Sequence, residues 1–378
     1  MRERWTQVPL GDVLDTFDHL RVPLNATQRA ARQGPFPYYG AQSVIDHVDG
    51  YLFDGRYLLI PEDGENLNSR KLPIAYFADG RFWVNNHAHI VRGKLGVADD
   101  VFIKQWLNNA DISPFVTGAA QPKLSQGNLK RMPIRLPPLA VQHRIASILG
   151  AYDDLIEVNR RRIAVLEEMA RRLFEEWFVH FRFPGCAADA SPGKLPSGWS
   201  LVPLEELLVL QRGFDLPTTS RSTGPHPVVA AGGLHGTHSE FRVKSPGVVT
   251  GRSGTLGNVN LIYEDFWPLN TTLYVREFRR ASPAYALHLL RHLQLGAHGG
   301  GAAVPTLNRN HVHALQVPCA PLKLIGLFEK LAMDALLTAY NFEKQNNRLA
   351  ASRDLLLPRL ISGDLPVTTA ERELEAVA

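Results

Sequence analysis

The feature that most limits how this chain can fold is that it is written twice. WTQVPLGDVL (5–14) returns as WSLVPLEELL (199–208), 194 residues on. PYYGA (37–41) and the turn at Asp63-Gly64 return 190 residues on as PVVAA (227–231) and Ser253-Gly254. Phe82, Trp83 and Asn86 return at 184 as Phe266, Trp267 and Asn270, and AAQPKL (119–124) returns at 183 as AAVPTL (302–307). Order is kept while the spacing drifts. A period this long marks a duplicated domain rather than a stack of short repeats. The length, 378 residues, is twice an ordinary module.

Each copy has a body and a helical end. The bodies are punctuated by Gly, Pro, Asn and Asp and carry short aromatic and β-branched runs such as YLLI (57–60), RFWV (81–84), GVVT (247–250) and TLYV (272–275), which read as strands. Helical stretches near 99–107 and 283–290 make each body α+β. Beyond each body the apolar residues recur at heptad spacing. Ile145, Tyr152, Asn159, Leu166 and Leu173 form one row, with Ile148, Leu155, Ile163, Met169 and Trp177 beside it; Phe328, Ala335, Phe342, Leu349 and Leu356 match the first row 183 residues on. Two helices with one phase predict each other as partners, and forty residues at ~1.5 Å each make a rod of about 60 Å. The expected organisation is a first body 1–138, a first long helix 139–183, a linker 184–198, a second body 199–321, a second long helix 322–365 and a flexible acidic tail 366–378.

Composition and missing motifs narrow the function. A charge of +4 and a pI near 9.0 exclude a polycation and still permit a nucleic-acid binder, which needs only a local cationic patch. Arg outnumbers Lys 31 to 10, and Arg is the side chain that grips phosphate and guanine bidentately. The second body (209–321) holds ten Arg and Lys against five Asp and Glu, the first (15–138) fourteen against twelve. Two cysteines, Cys186 and Cys319, make neither a disulfide framework nor a four-Cys zinc site, and no apolar run has the length of a membrane span, so a cytoplasmic protein is expected. The Asn/Asp-Pro-Pro-aromatic tetrad of amino-group DNA methyltransferases is missing, since the only Pro-Pro pair, Pro137-Pro138, follows Leu136. No lysine has the upstream carboxylate of a common metal nuclease, and there is no nucleotide-binding GxxxxGK[ST]. GRSGTLG (251–257) has the wrong spacing for a dinucleotide loop and reads as a turn that lets backbone amides and Arg252 approach a phosphate. His87/His89 and His311/His313 alternate without a local Cys, Asp or Glu to complete a metal site. The expectation is a non-catalytic chain without a metal or cofactor of its own.

The residues Trp5, VPLGD (8–12), PYYG (37–40), NNHAH (85–89), AQPKLS (120–125), the helix start LPPL (136–139) with Gln142, Arg144 and Ile145, and the closing LPRLISG (357–363) together resemble the specificity subunit of type I restriction-modification systems. The second helix departs from that pattern with Leu324, Ile325 and Gly326, which predicts a weaker contact with one partner subunit. The resemblance implies an α+β fold of two pseudo-symmetric α/β target recognition domains separated by two long antiparallel helices forming a coiled coil. Each domain would read one half of a bipartite, asymmetric target in double-stranded DNA, and the helices would set the spacer. The helices would also dock two methyltransferase (modification) subunits, which use S-adenosylmethionine; motor-nuclease (restriction) subunits would use ATP and magnesium. Polar turn residues are the candidate DNA contacts: Asn66, Asn68, Ser69, Arg70, Lys71, Asn85, Asn86, Gln121 and Lys123 in the first body, and Arg252, Ser253, Thr255, Asn270, Asn308 and Arg309 in the second. Because Asn86 and Asn270 recur in both copies, a scaffold role is the competing reading for that pair. A scaffold that reads no sequence, or an anti-restriction decoy that occupies methyltransferase subunits, is the alternative for the whole chain.

Overall fold

The computed structural model describes residues 5–118, 120–185, 194–298 and 305–375. Cys186, most of the expected linker (186–193), Ala119 and residues 302–304 of the last repeat landmark lie outside the described residues. Among those described, no helix is long and apolar enough to cross a membrane, and no three His, Cys, Asp or Glu gather as a metal site.

Strand pairing reproduces the duplication. In the first body β1 (Thr6–Pro9) pairs with β10 (Pro133–Leu136). A four-stranded antiparallel sheet has the order β2 (Leu14–Thr16), β9 (Ala88–Gly93), β6 (Tyr57–Pro61), β7 (Tyr76–Ala78). A second sheet has the order β4 (Val44–Val48), β3 (Gln33–Tyr39), β8 (Arg81–Val84), β5 (Phe53–Asp54), with β3 and β8 parallel. In the second body β11 (Ser200–Pro203) pairs with β19 (Gln316–Cys319). The sheets there are β12 (Leu208–Arg212), β18 (Thr272–Phe278), β15 (Gly247–Gly251), β16 (Val259–Ile262), and β14 (Gly233–His238), β13 (His226–Ala230), β17 (Trp267–Pro268), with β13 and β17 parallel. Among the described residues only the two-residue β5 lacks a counterpart. Register agrees at the centre of the sheets, where Tyr38 faces Trp83 as Val228 faces Trp267 and Ile60 faces His89 as Thr250 faces Leu273, while a bulge at Val209/Leu210 shifts the start of β12 by one residue against β18. The central strands β6 and β15 are apolar runs buried nearly throughout, as a strand covered on both faces requires.

Two long helices follow the bodies, Leu139–Phe174 and Leu322–Ser362. The first continues through a π turn at Glu175–Val179 and stops there rather than at 183. Phe181 adopts a left-handed φ of 58°, which a right-handed helix does not tolerate. The second ends at Ser362 rather than 365, where Gly363 turns left-handed at φ 79°. The expected flexible tail is instead a helix, Val367–Glu375, with Val367 and Ala370 buried in the first core and Arg144 Nη2 2.7 Å from Glu371. Its acidic composition concealed one apolar face.

By compactness the chain divides into two units, 1–157 with 347–378 and 158–346, a coarser division than the expected six segments. Each core draws the adjoining helix segments into itself. In the first unit Ile145, Ile148, Leu149, Tyr152 and Ile156 share a core with Leu349, Leu356 and Leu360, and Arg353 pairs with Asp153. In the second, Arg162 lies over the Phe342 ring and Phe174 packs on Phe328. In the second unit partner numbers fall on one helix as they rise on the other, from Asn159 with Gln345 through Arg162 with Phe342 to Phe174 with Phe328, so the segments run antiparallel. Asn159 is fully buried and its Nδ2 donates to Gln345 Oε1 at 2.9 Å and Asn346 Oδ1 at 3.0 Å. The apolar row slips toward the end of the first helix: Met169 is exposed while Ala170 and Phe174 are buried. A 3.6-residue helix drifts about 20° per heptad from a 3.5-residue repeat, so a strict row does not stay inward. Gln142 is fully buried and bonded inside the first unit, so its replacement by buried Ile325 alters an internal tie rather than an exposed partner contact.

Candidate nucleic-acid interface

The candidate residues sit where strands end and loops begin. Asn66 is committed internally, with Nδ2 donating to Gln42 Oε1 and Leu72 O, and Oδ1 accepting from the Leu72 N–H. Arg70, left-handed at φ 51°, donates to Ala110 O at 2.8 Å and Asn108 O at 2.7 Å. It closes the carboxyl end of the helix Asp100–Asn109, whose last carbonyls lack helical donors. Asn85 is buried and its Oδ1 accepts from the His87 N–H. Asn68, Ser69, Lys71 and Gln121 are exposed and form no side-chain hydrogen bond among the described residues. Lys123 is exposed and pairs with Glu62 at 3.3 Å.

In the second body, Arg252, Asn308 and Arg309 come together with Arg212 around one open recess of about 510 Å³. Arg252 Nη1 donates to Asn270 O at 3.3 Å, which holds the guanidinium at the strand end. Asn308 starts the short helix Arg309–His313, its Oδ1 accepting from the Asn310 N–H at 3.0 Å. Ser253 bridges to Thr306 through the backbone, and Thr255 is exposed on the adjoining turn. The recurring asparagines differ in what they touch: Asn270 uses its side chain, whereas Asn86 is exposed and offers its backbone carbonyl. Asn86 O accepts from Arg21 Nη1 at 3.3 Å, and Asn270 Nδ2 donates to Asp215, the residue 194 after Arg21.

The place that Arg212, Arg252 and Arg309 take in the second copy is filled in the first by Asp18, Glu62 and Gln126. Backbone hydrogen bonds establish the equivalence. Glu62 N–H donates to His87 O and Glu62 O accepts from Leu124; Arg252 N–H donates to Thr271 O and Arg252 O accepts from Leu307, all at 2.8 Å. Asp18 lies across from His89 as Arg212 lies across from Leu273. The first copy builds a closed network there. His89 is buried, with Nδ1 2.6 Å from Asp18 Oδ2 and Nε2 2.8 Å from Leu124 O. Gln126 Nε2 and the Ile90 N–H also donate to Asp18, and Arg21 bridges to Glu62 at 3.0 Å. Burial pushes both carboxyls up, but the hydrogen bonds and charges of His89 and Arg21 outweigh it and leave Asp18 and Glu62 below their ordinary range. The Asp18–Arg21 pair is even inverted in sign in the second copy as Arg212–Asp215, each at 3.6 Å. Sequence reading missed Arg212 and this network; carrying the 194 offset four residues past Leu208 would have set Arg212 against Asp18.

Residues 2–168 match a family model described as type I restriction modification DNA specificity domain. The chain is 38% identical over 148 residues to a Haemophilus influenzae protein assigned by name to the type I restriction enzyme specificity subunits, covering 39% of this chain and 37% of that one. It is 24% identical over 278 residues to a type I restriction enzyme specificity subunit of Methanocaldococcus jannaschii, covering 66% and 64%. The matches thus span less than two thirds of these curated relatives. The crystal structure of a type I restriction-modification S subunit from M. genitalium superposes with a TM-score of 0.67 at 17% identity, covering 95% of this chain and 96% of that one, so the fold is shared.

Proposed function

We propose that this chain, whose residues 2–168 match a type I restriction modification DNA specificity domain, is the specificity subunit of such a complex and reads a bipartite, asymmetric DNA target, one half-site to each body. The observation that carries this reading is one backbone scaffold built twice with different polar side chains at the same strand ends. A reader of two unlike half-sites needs that arrangement, because phosphate contacts position the module and base-edge contacts specify it. Exposed Asn68, Ser69, Lys71, Gln121 and Lys123 are the proposed readers in the first body, and Ser253, Thr255 and the arginines of the recess in the second.

The long helices, 36 and 41 residues, are proposed to set the spacer and dock two methyltransferase subunits. S-adenosylmethionine chemistry would reside in those partners, and ATP- and magnesium-dependent cleavage in motor-nuclease subunits, all in the cytoplasm. Coexpression with methyltransferase subunits followed by methylome sequencing tests this. The expected result is one gapped motif modified on each strand, and exchange of residues 209–321 for another body changes one half only. Modification without a motif would favour a non-reading scaffold; occupied but inactive methyltransferase subunits would favour a decoy.

A further inference from the structure

We propose that Arg212, Arg252 and Arg309 form a clamp for the oxygens of a DNA phosphodiester, present in the second copy and replaced in the first by an internally neutralised ion network. The proposal deepens the DNA-reading function above and rests on it.

Three observations converge. The two sites share their backbone to the level of individual hydrogen bonds, so neither charge set is required to build the scaffold. Their charges nevertheless differ in kind. The first copy places Asp18, Glu62 and Asp63 with Arg21 and Lys123, every carboxylate within 4 Å of a cationic or imidazole partner. The second places Arg212, Arg252 and Arg309 with Asp215 alone, and Asp215 sits 3.6 Å from Arg212 with both side chains more than half exposed, 51% and 70%. Such a pair is held weakly and opens readily to a competing anion. Arg309 has no ion pair or side-chain hydrogen bond among the described residues. Third, the guanidinium groups line one recess with Leu273, Leu307 and Asn308, rather than being scattered over the surface. Three like charges around one concavity repel one another until an anion enters. A phosphate, whose oxygens accept the planar two-pronged donation of several arginines at once, matches that donor set. A single guanine edge accommodates one such fork.

The first copy has no counterpart to offer. Its carboxylates would repel a phosphate at the same place, and Arg21 is held between Asp18 and Glu62, which leaves Lys123 as the exposed cation of this network. The duplicated reader is therefore electrostatically one-sided: the second body anchors to the DNA backbone and the first contributes little to backbone affinity at this position.

The test uses the full chain, with the affinity for two duplexes of unrelated sequence measured across 50–200 mM salt. Each lost phosphate contact lowers the slope of log affinity against log salt by about 0.9. Because the three arginines share one phosphodiester, the triple variant Arg212→Gln, Arg252→Gln, Arg309→Gln should lower it by about 0.9, so that the wild type loses roughly 3.5-fold more affinity than the variant over that range. Because Arg309 has no ion pair or side-chain hydrogen bond to lose among the described residues, Arg309→Gln alone should lower the slope by part of that ~0.9 with unchanged thermal unfolding, which guards against a misfolded triple variant. An unchanged slope with persistent DNA binding overturns the clamp and leaves the DNA-reading function standing. A loss confined to one duplex assigns the arginines to base reading and also overturns it. Failure of the wild type to bind either duplex overturns both proposals. Inorganic phosphate titrated calorimetrically should give no saturable heat; saturation that duplex DNA does not displace would make the recess a free-phosphate site instead.

Discussion

Among the equivalent positions at which the two copies differ, three form a graded series: Asp18 and Arg212, Gln105 and His288, Gln142 and Ile325. At each the surrounding backbone is the same and the side-chain chemistry is exchanged, a buried or hydrogen-bonded polar group in one copy facing a different charge or an apolar group in the other. Strand pairing and apolar burial specify the fold, and the polar residues at strand ends and helix joints vary over it. Each pair is also a controlled experiment, since the second copy shows what the scaffold tolerates in place of the first.

The largest expected difference is at Asp18 and Arg212. Asp18 and His89 are 7% and 1% exposed at the side chain, so Asp18→Ala leaves the buried His89 ring without its hydrogen-bond partner. Removing one partner of a buried pair typically costs about 3–5 kcal/mol. Arg212→Ala removes an exposed side chain and should change stability by less than about 0.5 kcal/mol. Amide exchange of the full chain resolves the two: β6 and β9 should lose protection in the first variant, β15 and β18 keep theirs in the second. Equal losses would break the contrast between a closed network and an open recess.

Acid should act on the second unit first. His288 is buried between Phe174 and Phe328 with Nε2 unpartnered, and burial, then the charges of Arg291 and Arg171, push it down to about 4. A histidine with a depressed folded value stays neutral in the fold while the unfolded chain takes up a proton below about 6.5. Stability of this unit should therefore fall as pH drops from about 6.5 to 4, by at most about 3 kcal/mol. Asp18 and Glu62 have lowered values, so their contribution to the first unit is intact above about 4 and is lost only below it. His288→Gln, which copies Gln105, should remove most of the slope between pH 6.5 and 4 and leave the smaller share of His313, whose value burial also lowers; a slope that survives in full would assign it to other groups.

The duplication, the drift in spacing, the strand runs and the existence of both long helices were legible because they rest on apolar pattern and turn residues, which the backbone reads locally. Which polar residue faces outward was not. Arg70 and Lys71 are neighbours in one polar turn, yet Arg70 closes a helix thirty-odd residues away while Lys71 stands free. Asn85 and Asn86 are adjacent and differ in burial. Such commitments depend on groups brought together by the tertiary fold, and they decide most of the candidate interface. The tail failed for a related reason: its charges are visible in sequence, whereas the surface that covers Val367 and Ala370 is not.

The smallest difference concerns how each body is joined to its long helix. In the first copy Asp99 accepts from the Phe102 N–H at 2.8 Å, and Gln142 ties the preceding loop, accepting from the Asp99 N–H and donating to Val97 O and Pro137 O. In the second copy Ser282 gives no such cap, Ile325 replaces the glutamine, and Glu329 reaches back to accept from the Ala284 and Tyr285 N–H groups, the latter at 3.3 Å. Both arrangements satisfy donors that a helix start leaves open, one from the loop and one from the neighbouring helix. Gln142→Ile alone should cost about 2 kcal/mol, because it buries unpaired backbone groups. Adding Ala146→Glu, the position equivalent to Glu329, should not restore it, since the new carboxylate meets Asp99 at the same helix start. Recovery requires the third change, Asp99→Ser, which turns the joint into that of the second copy. Thermal unfolding of the single, double and triple variants reads the cycle, and recovery at the double variant would show that the two joints are additive rather than alternative.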